Sequence, residues 1–253
     1  MIKTGILSTA DNEKIAYRLY KNGFDRVVVI AHGFFNSKDS VLLTELAEHL
    51  AKEQDVFIFD FRGHGESSGF FTWTSREKND LEAVLKYIKG EYNKIDVIGF
   101  SMGGSVSINV LSKIQIPINS LICISTPSDC SKVDYKWWKL DLENDIWYSL
   151  FTKNGTKGKG VRPGSFWLAK EKPIENINRL KMPVLYIHGD KDWVVNYKHS
   201  ERLHDKTISP KRIVIIKNGP HAEYLMRKYR NVILDEIDGL LKINRDMVNV
   251  KNR

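Results

Sequence analysis

Six short apolar runs set the strongest limit on how this chain can fold: RVVVIA at 26–31, VFIFD at 56–60, IDVIGF at 95–100, SLICIS at 120–125, PVLYIHG at 183–189 and RIVIIK at 212–217. Each is rich in β-branched residues and lacks the polar alternation of a half-solvated strand, so each is expected to be buried on both faces, as in a parallel sheet covered by helices. Two earlier segments, 2–8 and 14–20, alternate better and suit an antiparallel edge hairpin. Helical spacing fills the intervals. Leu42, Leu43, Leu46, Ala47 and Leu50 form one apolar stripe; Leu81, Val84, Leu85 and Ile88 form another, behind a Thr74-x-x-Glu77 capping box. Val232, Ile233, Ile237, Leu240 and Leu241 line a final helix. The expectation is a mostly parallel α/β sheet with helices on both faces, built as one domain over 1–253. A chain of 253 residues is long enough to bury roughly 70–75% of its unfolded surface in this way.

The rhythm breaks between 127 and 173. No strand pattern is visible there; instead Trp137, Trp138, Trp147 and Trp167 cluster around a glycine-rich stretch, KNGTKGKGVRPG. Four of the chain's six tryptophans in one segment argue against a plain linker, and an inserted cap over a site is expected. With Phe34, Phe35 and Trp193, these four residues are the candidate substrate-contacting set.

Composition narrows the function classes. Hydrophobic residues make up 42% and charged residues 28%, a folded-protein balance. The net charge of +8 comes from scattered lysines, with no aromatic-basic module, which points to a solvated surface and away from nucleic acid. No apolar run approaches the roughly 20 residues of a membrane span, and MIKTGILSTADNEK lacks a leader-like stretch, so a cytoplasmic protein without stable membrane insertion is expected. Cys123 and Cys130 form neither a redox pair nor a disulfide framework. Gly155-x-x-x-x-Gly160 lacks the following Lys-Ser/Thr of a phosphate loop, and Gly63-x-Gly65 lacks the third glycine of a dinucleotide turn. No zinc-binding His pattern occurs, so neither metal nor cofactor is expected. Asn154 heads a glycosylation sequon that matters only in a secreted chain.

The segment VIGFSMGGSV carries the chemistry. It passes from a strand-like run into a helical one, with Ser101 at the junction between Gly99 and Gly103. A serine on such a sharp turn projects its hydroxyl from the sheet edge, as a nucleophile requires. That hydroxyl needs a base, and the base needs a carboxylate to fix its tautomer. In a parallel α/β sheet both are expected on loops beyond later strands, in the order Ser, Asp, His. Asp190 and Asp192 follow the fifth apolar run, with Asp129 a rival after the fourth; His221 follows the sixth. His49, His199 and His204 fall in helical patterns and read as solvated, His188 as a brace of the strand end, while His32 and His64 sit in glycine turns before the serine. The loop HGFFNSKDS is expected to meet the serine-bearing helix, where the backbone N–H groups of Phe34 and Met102 can serve an oxyanion.

Taken in order, HGFF, DFRGHGES, GFSMGG, HGDKDWVV and GPHAE resemble the α/β-hydrolase superfamily, and within it the branch of monoacylglycerol lipases, feruloyl (cinnamoyl) esterases and serine aminopeptidase-type hydrolases. The resemblance spans about 26–125 and 183–241. It implies Ser101 as nucleophile, Asp192 as acid, His221 as base, and Phe34 with Met102 as oxyanion donors. Phe100, Phe35 and Asn196 depart from that branch's usual residues. Asp60 and Arg62 in DFRGHGES read as scaffolding for a turn. The expected activity is hydrolysis of a small-molecule carboxylic ester with apolar or aromatic groups through an acyl-enzyme. A thioesterase or acyltransferase on the same triad, or a ligand-binding receptor on a hydrolase fold, are the alternatives.

Overall fold

The structure, a computed structural model, describes residues 1–133, 160–165 and 167–251, the last nine by backbone alone. An antiparallel hairpin, β1 (Ile2–Ser8) and β2 (Lys14–Tyr20), opens the chain. Parallel strands follow: β3 (Arg26–Ala31), β4 (Asp55–Phe59), β5 (Lys94–Phe100), β6 (Ser120–Ile124), β7 (Val184–Gly189) and β8 (Lys211–Ile216). They join β1 and β2 in one eight-stranded sheet of order β1-β2-β4-β3-β5-β6-β7-β8, in which β2 runs antiparallel to β4. The helices are α1 (Val41–Leu50), α2 (Glu77–Lys89), α3 (Met102–Leu111), α4 (Lys198–Lys206), α5 (Ala222–Lys228) and α6 (Arg230–Lys251), with a single turn at Pro173–Asn176.

The uninterrupted apolar runs are explained by two cores, one on each sheet face. Val27, Val29 and Ala31 of β3 point into a core closed by α2, α3 and α4, whereas Val28 and Ile30 point into a second core closed by α1, α5 and α6. Successive side chains of a strand face opposite ways, so a strand covered on both sides must be apolar throughout. Strand order reverses beside β3, which has β4 on one side and β5 on the other. The crevice at the carboxyl ends of strands around such a reversal is where open α/β sheets place their sites. Among the described residues, no helix is long and apolar enough to cross a membrane.

Two local expectations are corrected. Thr74 does not cap α2: the Glu77 carboxylate instead receives the N–H of Thr72 at 2.6 Å and its hydroxyl at 2.9 Å. The sequence offers two threonines ahead of Glu77, and the turn between them selects the earlier one. His199 is buried, not solvated, with Nδ1 accepting the N–H of Ser128 at 3.1 Å. That contact links α4 to the loop after β6, which no local pattern reports.

Of the insertion expected at 127–173, residues 134–159 and 166 lie outside the described residues, and with them Trp137, Trp138 and Trp147. Its described part is stitched to the loop after β4: Phe71 N–H reaches Arg162 O at 2.8 Å, and Arg162 N–H reaches Gly63 O at 2.7 Å.

Candidate active site

Ser101 occupies the turn between β5 and α3 with φ of +47°, a left-handed value that costs any residue with a side chain. Close packing imposes it. A methyl group on Gly103 would lie 2.1 Å from Ala31 O, and one on Gly99 would lie 2.5 Å from the Gly104 α-carbon, so α3 and β3 approach as only glycine allows. The Ser101 N–H donates to Ile124 O at 2.8 Å, which pins the turn to β6.

The partners arrive from the ends of β7 and β8. His221 Nε2 stands 3.1 Å from Ser101 Oγ, and His221 Nδ1 stands 2.7 Å from Asp192 Oδ2. The arrangement has one consistent proton order: Nδ1–H donates to the carboxylate, and Nε2 accepts from the serine hydroxyl. Asp192 Oδ1 accepts the N–H groups of Val194 at 2.9 Å and Val195 at 2.7 Å. Burial alone would push the Asp192 carboxyl up, but His221 and His188 outweigh it and hold it well below the ordinary carboxylate range. Behind His221, the Ala222 N–H donates to Ser125 Oγ at 2.9 Å, fixing the loop that carries His221 to the end of β6.

The rival acids have other tasks. Asp190 accepts the N–H of Asn218 at 2.7 Å and ties the loop after β7 to the loop after β8. Asp129 accepts from Ser131 N at 3.0 Å and Ser131 Oγ at 2.6 Å, closing its own turn. His188, expected as a brace, lies fully buried with Nε2 3.0 Å from Asp192 Oδ2 and Nδ1 2.7 Å from Ser200 Oγ.

The HGFF loop lies against Ser101: a methyl group on Gly33 would sit 3.5 Å from Ser101 Cβ. Phe34 follows directly, and Met102 begins α3, where first-turn N–H groups have no acceptor within the helix. The loop is held from below. His32 Nε2 accepts Phe61 N–H at 3.0 Å, Lys38 N–H donates to Asp60 Oδ1 at 2.6 Å, and the Asn36 amide donates to Glu223 Oε1. Burial lowers His32 to about 4 and His64 well below its ordinary value, so both imidazoles are neutral supports. Arg62, buried, is paired with Asp80 at 2.7 Å and with Asp11 at 2.6 Å.

Ser101 opens into a narrow cleft walled by Phe34, Phe71, Trp73, Met102 and Val195. Phe34 stacks on Phe71 with centroids 4.7 Å apart and lies 5.2 Å from Trp73. Phe71 and Trp73 escape the sequence reading, although FFTW, two residues after DFRGHGES, marks an aromatic cluster at a site-facing loop. Phe35 packs on Phe34 at 3.9 Å and is not on the cleft wall. Trp193 lies 6.4 Å from Tyr224 and also stands off the wall, and Trp167 is 73% exposed. Both insertion roots do reach the cleft, through Pro127, Cys130 and Val133 on one side and Lys170 on the other. Among the described residues, no group of three His, Cys, Asp or Glu could hold a metal ion.

The family model described as alpha/beta hydrolase fold matches residues 26–151. The chain belongs to the α/β-hydrolase superfamily. This α/β hydrolase is 26% identical over 190 residues to the uncharacterized protein YfhR of Salmonella typhi, covering 72% of the chain and 59% of YfhR. It therefore spans less than two thirds of that relative's length. It is 24% identical over 228 residues to the human serine hydrolase BPHL, covering 79% of the chain and 75% of BPHL. Among solved structures, the Pyrococcus furiosus esterase Pf2001 matches with a TM-score of 0.76 and 25% identity, over 96% of this chain and 92% of that one.

Proposed function

We propose that this α/β hydrolase is a serine esterase that cleaves carboxylic esters of apolar or aromatic acids or alcohols through an acyl-enzyme. The observation that carries the reading is the continuous hydrogen-bonded line from Ser101 Oγ through His221 to Asp192, at the floor of an aromatic cleft.

The cycle follows from that line. As the Ser101 oxygen bonds to the ester carbonyl carbon, its proton passes to His221 Nε2, and the carbonyl π electrons move onto oxygen. The Phe34 and Met102 N–H groups receive that oxyanion, each worth about 3 kcal/mol of transition-state stabilisation. Asp192 stabilises the imidazolium without taking its proton. Collapse breaks the bond to the alcohol oxygen, which takes the proton from Nε2 and leaves. Water then repeats the sequence on the acyl-serine, with His221 as base, releasing the acid and restoring the hydroxyl.

The apolar wall favours uncharged chains, because burying an unpaired charge there costs several kcal/mol. The 127–173 insertion is proposed as the cap that completes this pocket, since both of its roots line the cleft. The human relative is a serine hydrolase and the Pyrococcus furiosus neighbour an esterase, which supports the reading.

A panel of p-nitrophenyl esters from acetate to palmitate, with methyl cinnamate and matched thioesters, tests it against the Ser101→Ala protein. Hydrolysis that vanishes in the variant, together with fluorophosphonate labelling of Ser101, is expected. Labelling or turnover that survives Ser101→Ala overturns the assignment; faster thioester than ester cleavage moves the substrate class.

A further inference from the structure

The loop between β4 and α2 holds two consecutive side-chain-bearing residues in the left-handed region, Trp73 at φ +57° and Thr74 at φ +77°. The conformation is unfavourable for a β-branched residue and persists only where neighbours enforce it. They do so on both sides. Thr72 is locked between the Glu77 carboxylate and the Arg76 N–H, which its hydroxyl accepts at 2.9 Å. Phe71 is held by backbone bonds of 2.8 Å to Arg162 and to Gly164. The clamp uses Thr72 completely and leaves Thr74 without a structural task.

Thr74 lines the same cleft as Ser101 and is 7% exposed, yet its hydroxyl has no hydrogen-bond partner. Of the five buried polar side-chain atoms left in this condition among the described residues, Thr74 Oγ1 alone belongs to a cleft-lining residue. Thr126, another of the five, has a packing reason: a methyl group on Gly104 would fall 2.0 Å from its hydroxyl oxygen, so it fills the space that glycine opens. Thr74 has none. The Cys130 thiol lies within side-chain interaction reach of Thr74, but a thiol is a weak partner, and the hydroxyl is left without one of full hydrogen-bond geometry. Native interiors rarely strand a hydroxyl in this way without a ligand or a water to satisfy it.

We infer that the Thr74 hydroxyl is a recognition group, donating a hydrogen bond to an acceptor oxygen on the chain of the bound ester, away from the scissile carbonyl. The preferred substrates are then esters whose apolar chain carries one ether, hydroxyl or carbonyl oxygen. Oγ1 is itself covered, so a step between staggered χ1 wells is the motion that turns it toward a bound chain. The surrounding wall supplies apolar contact, and the hydroxyl selects the one polar position. The inference rests on the reading of Ser101 as the ester-cleaving nucleophile.

Binding to the Ser101→Ala protein tests it without turnover. Phenyl hexanoate is titrated calorimetrically beside isosteres in which each acyl methylene beyond the α-carbon is in turn replaced by an ether oxygen. At one position the ether ester is expected to bind more tightly than the all-carbon ester. That preference should fall by about five- to tenfold in Ser101→Ala/Thr74→Val and return in Ser101→Ala/Thr74→Ser, as expected for one neutral hydrogen bond. Thermal melts of the variants establish that each is folded. If no position shows a Thr74-dependent preference, including the case where no ester saturates the protein, the inference is overturned. A Thr74-dependent preference in a protein whose Ser101 form hydrolyses none of these esters overturns the esterase reading and leaves the binding subsite standing.

Discussion

His188 and His221 share one oxygen of Asp192: Oδ2 lies 3.0 Å from His188 Nε2 and 2.7 Å from His221 Nδ1. Since Oδ1 is occupied by the Val194 and Val195 N–H groups, the carboxylate can rotate only by breaking several bonds at once. Ser200 Oγ, 2.7 Å from His188 Nδ1, fixes the tautomer that donates through Nε2, toward Asp192 and the 2.8 Å distant Val195 O. His188 is thus a positioning residue for the acid. His188→Ala should lower kcat by roughly ten- to hundredfold, the cost of one hydrogen bond to a charged group felt in the transition state, with KM little changed. His188→Gln should recover part of the loss. Steady-state kinetics with matched melting curves check both; a change confined to KM contradicts the role.

Asp192→Asn should cost about ten-thousandfold in kcat, because the amide can present its N–H to His221 and favour the wrong tautomer. Asp129→Asn should leave kcat within a factor of a few and instead lower stability by about 1 kcal/mol, since Asp129 closes its own turn onto Ser131 and pairs with Lys172 at 3.8 Å. Urea denaturation alongside turnover separates the two. An inert Asp192→Asn with a dead Asp129→Asn would transfer the acid to the loop after β6.

Gly103→Ala places a methyl carbon where Ala31 O lies 2.1 Å away, a backbone contact that cannot swing aside. The helix must back off from β3, and a destabilisation of about 3 kcal/mol or more is expected. Because Met102 moves with it, kcat should fall even in molecules that remain folded. Fluorophosphonate labelling rate per folded molecule measures this, and an unchanged rate would show that the approach of α3 to β3 is not what positions the oxyanion donors.

The His32 contribution to stability should be lost on acidification, in the range where Asp60 and Asp80, raised by burial to about 6 and about 7, act in the opposite direction. His32 is held neutral, with its folded value lowered by burial to about 4 against 6.5 when unfolded. The unfolded chain therefore binds the extra proton first, and the contribution present above pH 6.5 is lost as pH falls toward 4. At 1.4 kcal/mol per pH unit this amounts to about 3 kcal/mol, and buried His64 and His199 act in the same direction. Urea midpoints between pH 7 and 4 read the slope. A folded His32→Gln protein should lose less stability, or gain more, than the parent between pH 7 and 4, and an unchanged profile would assign the effect elsewhere.

The sheet was legible because burial on both faces leaves a local mark, an apolar run without alternation, and Ser101 was legible because its turn demands glycines at fixed offsets. The choice between Asp190 and Asp192 was not: both lie in one turn, and only the loop after β8 decides which meets His221 and which meets Asn218. The cleft wall was hidden for a related reason. No glycine announces the left-handed pair at Trp73 and Thr74, so the sequence assigns Thr74 to the helix cap and overlooks Phe71 and Trp73. His188 and His199 look alike in sequence as histidines near element ends; their depths depend on Asp192, Ser200 and Ser128, which approach through tertiary packing.

Ser101 and His221, 120 residues apart in sequence, meet only when β5, β6, β7 and β8 have paired in order. No fragment of the chain, however helical, holds the nucleophile and base together, and closing so long a loop is among the slower events of folding. Hydrolysis is accordingly a gauge of sheet register: during refolding it should switch on last, after far-ultraviolet ellipticity has returned. A one-residue slip of β8 against β7 would silence it while leaving the secondary-structure content almost untouched.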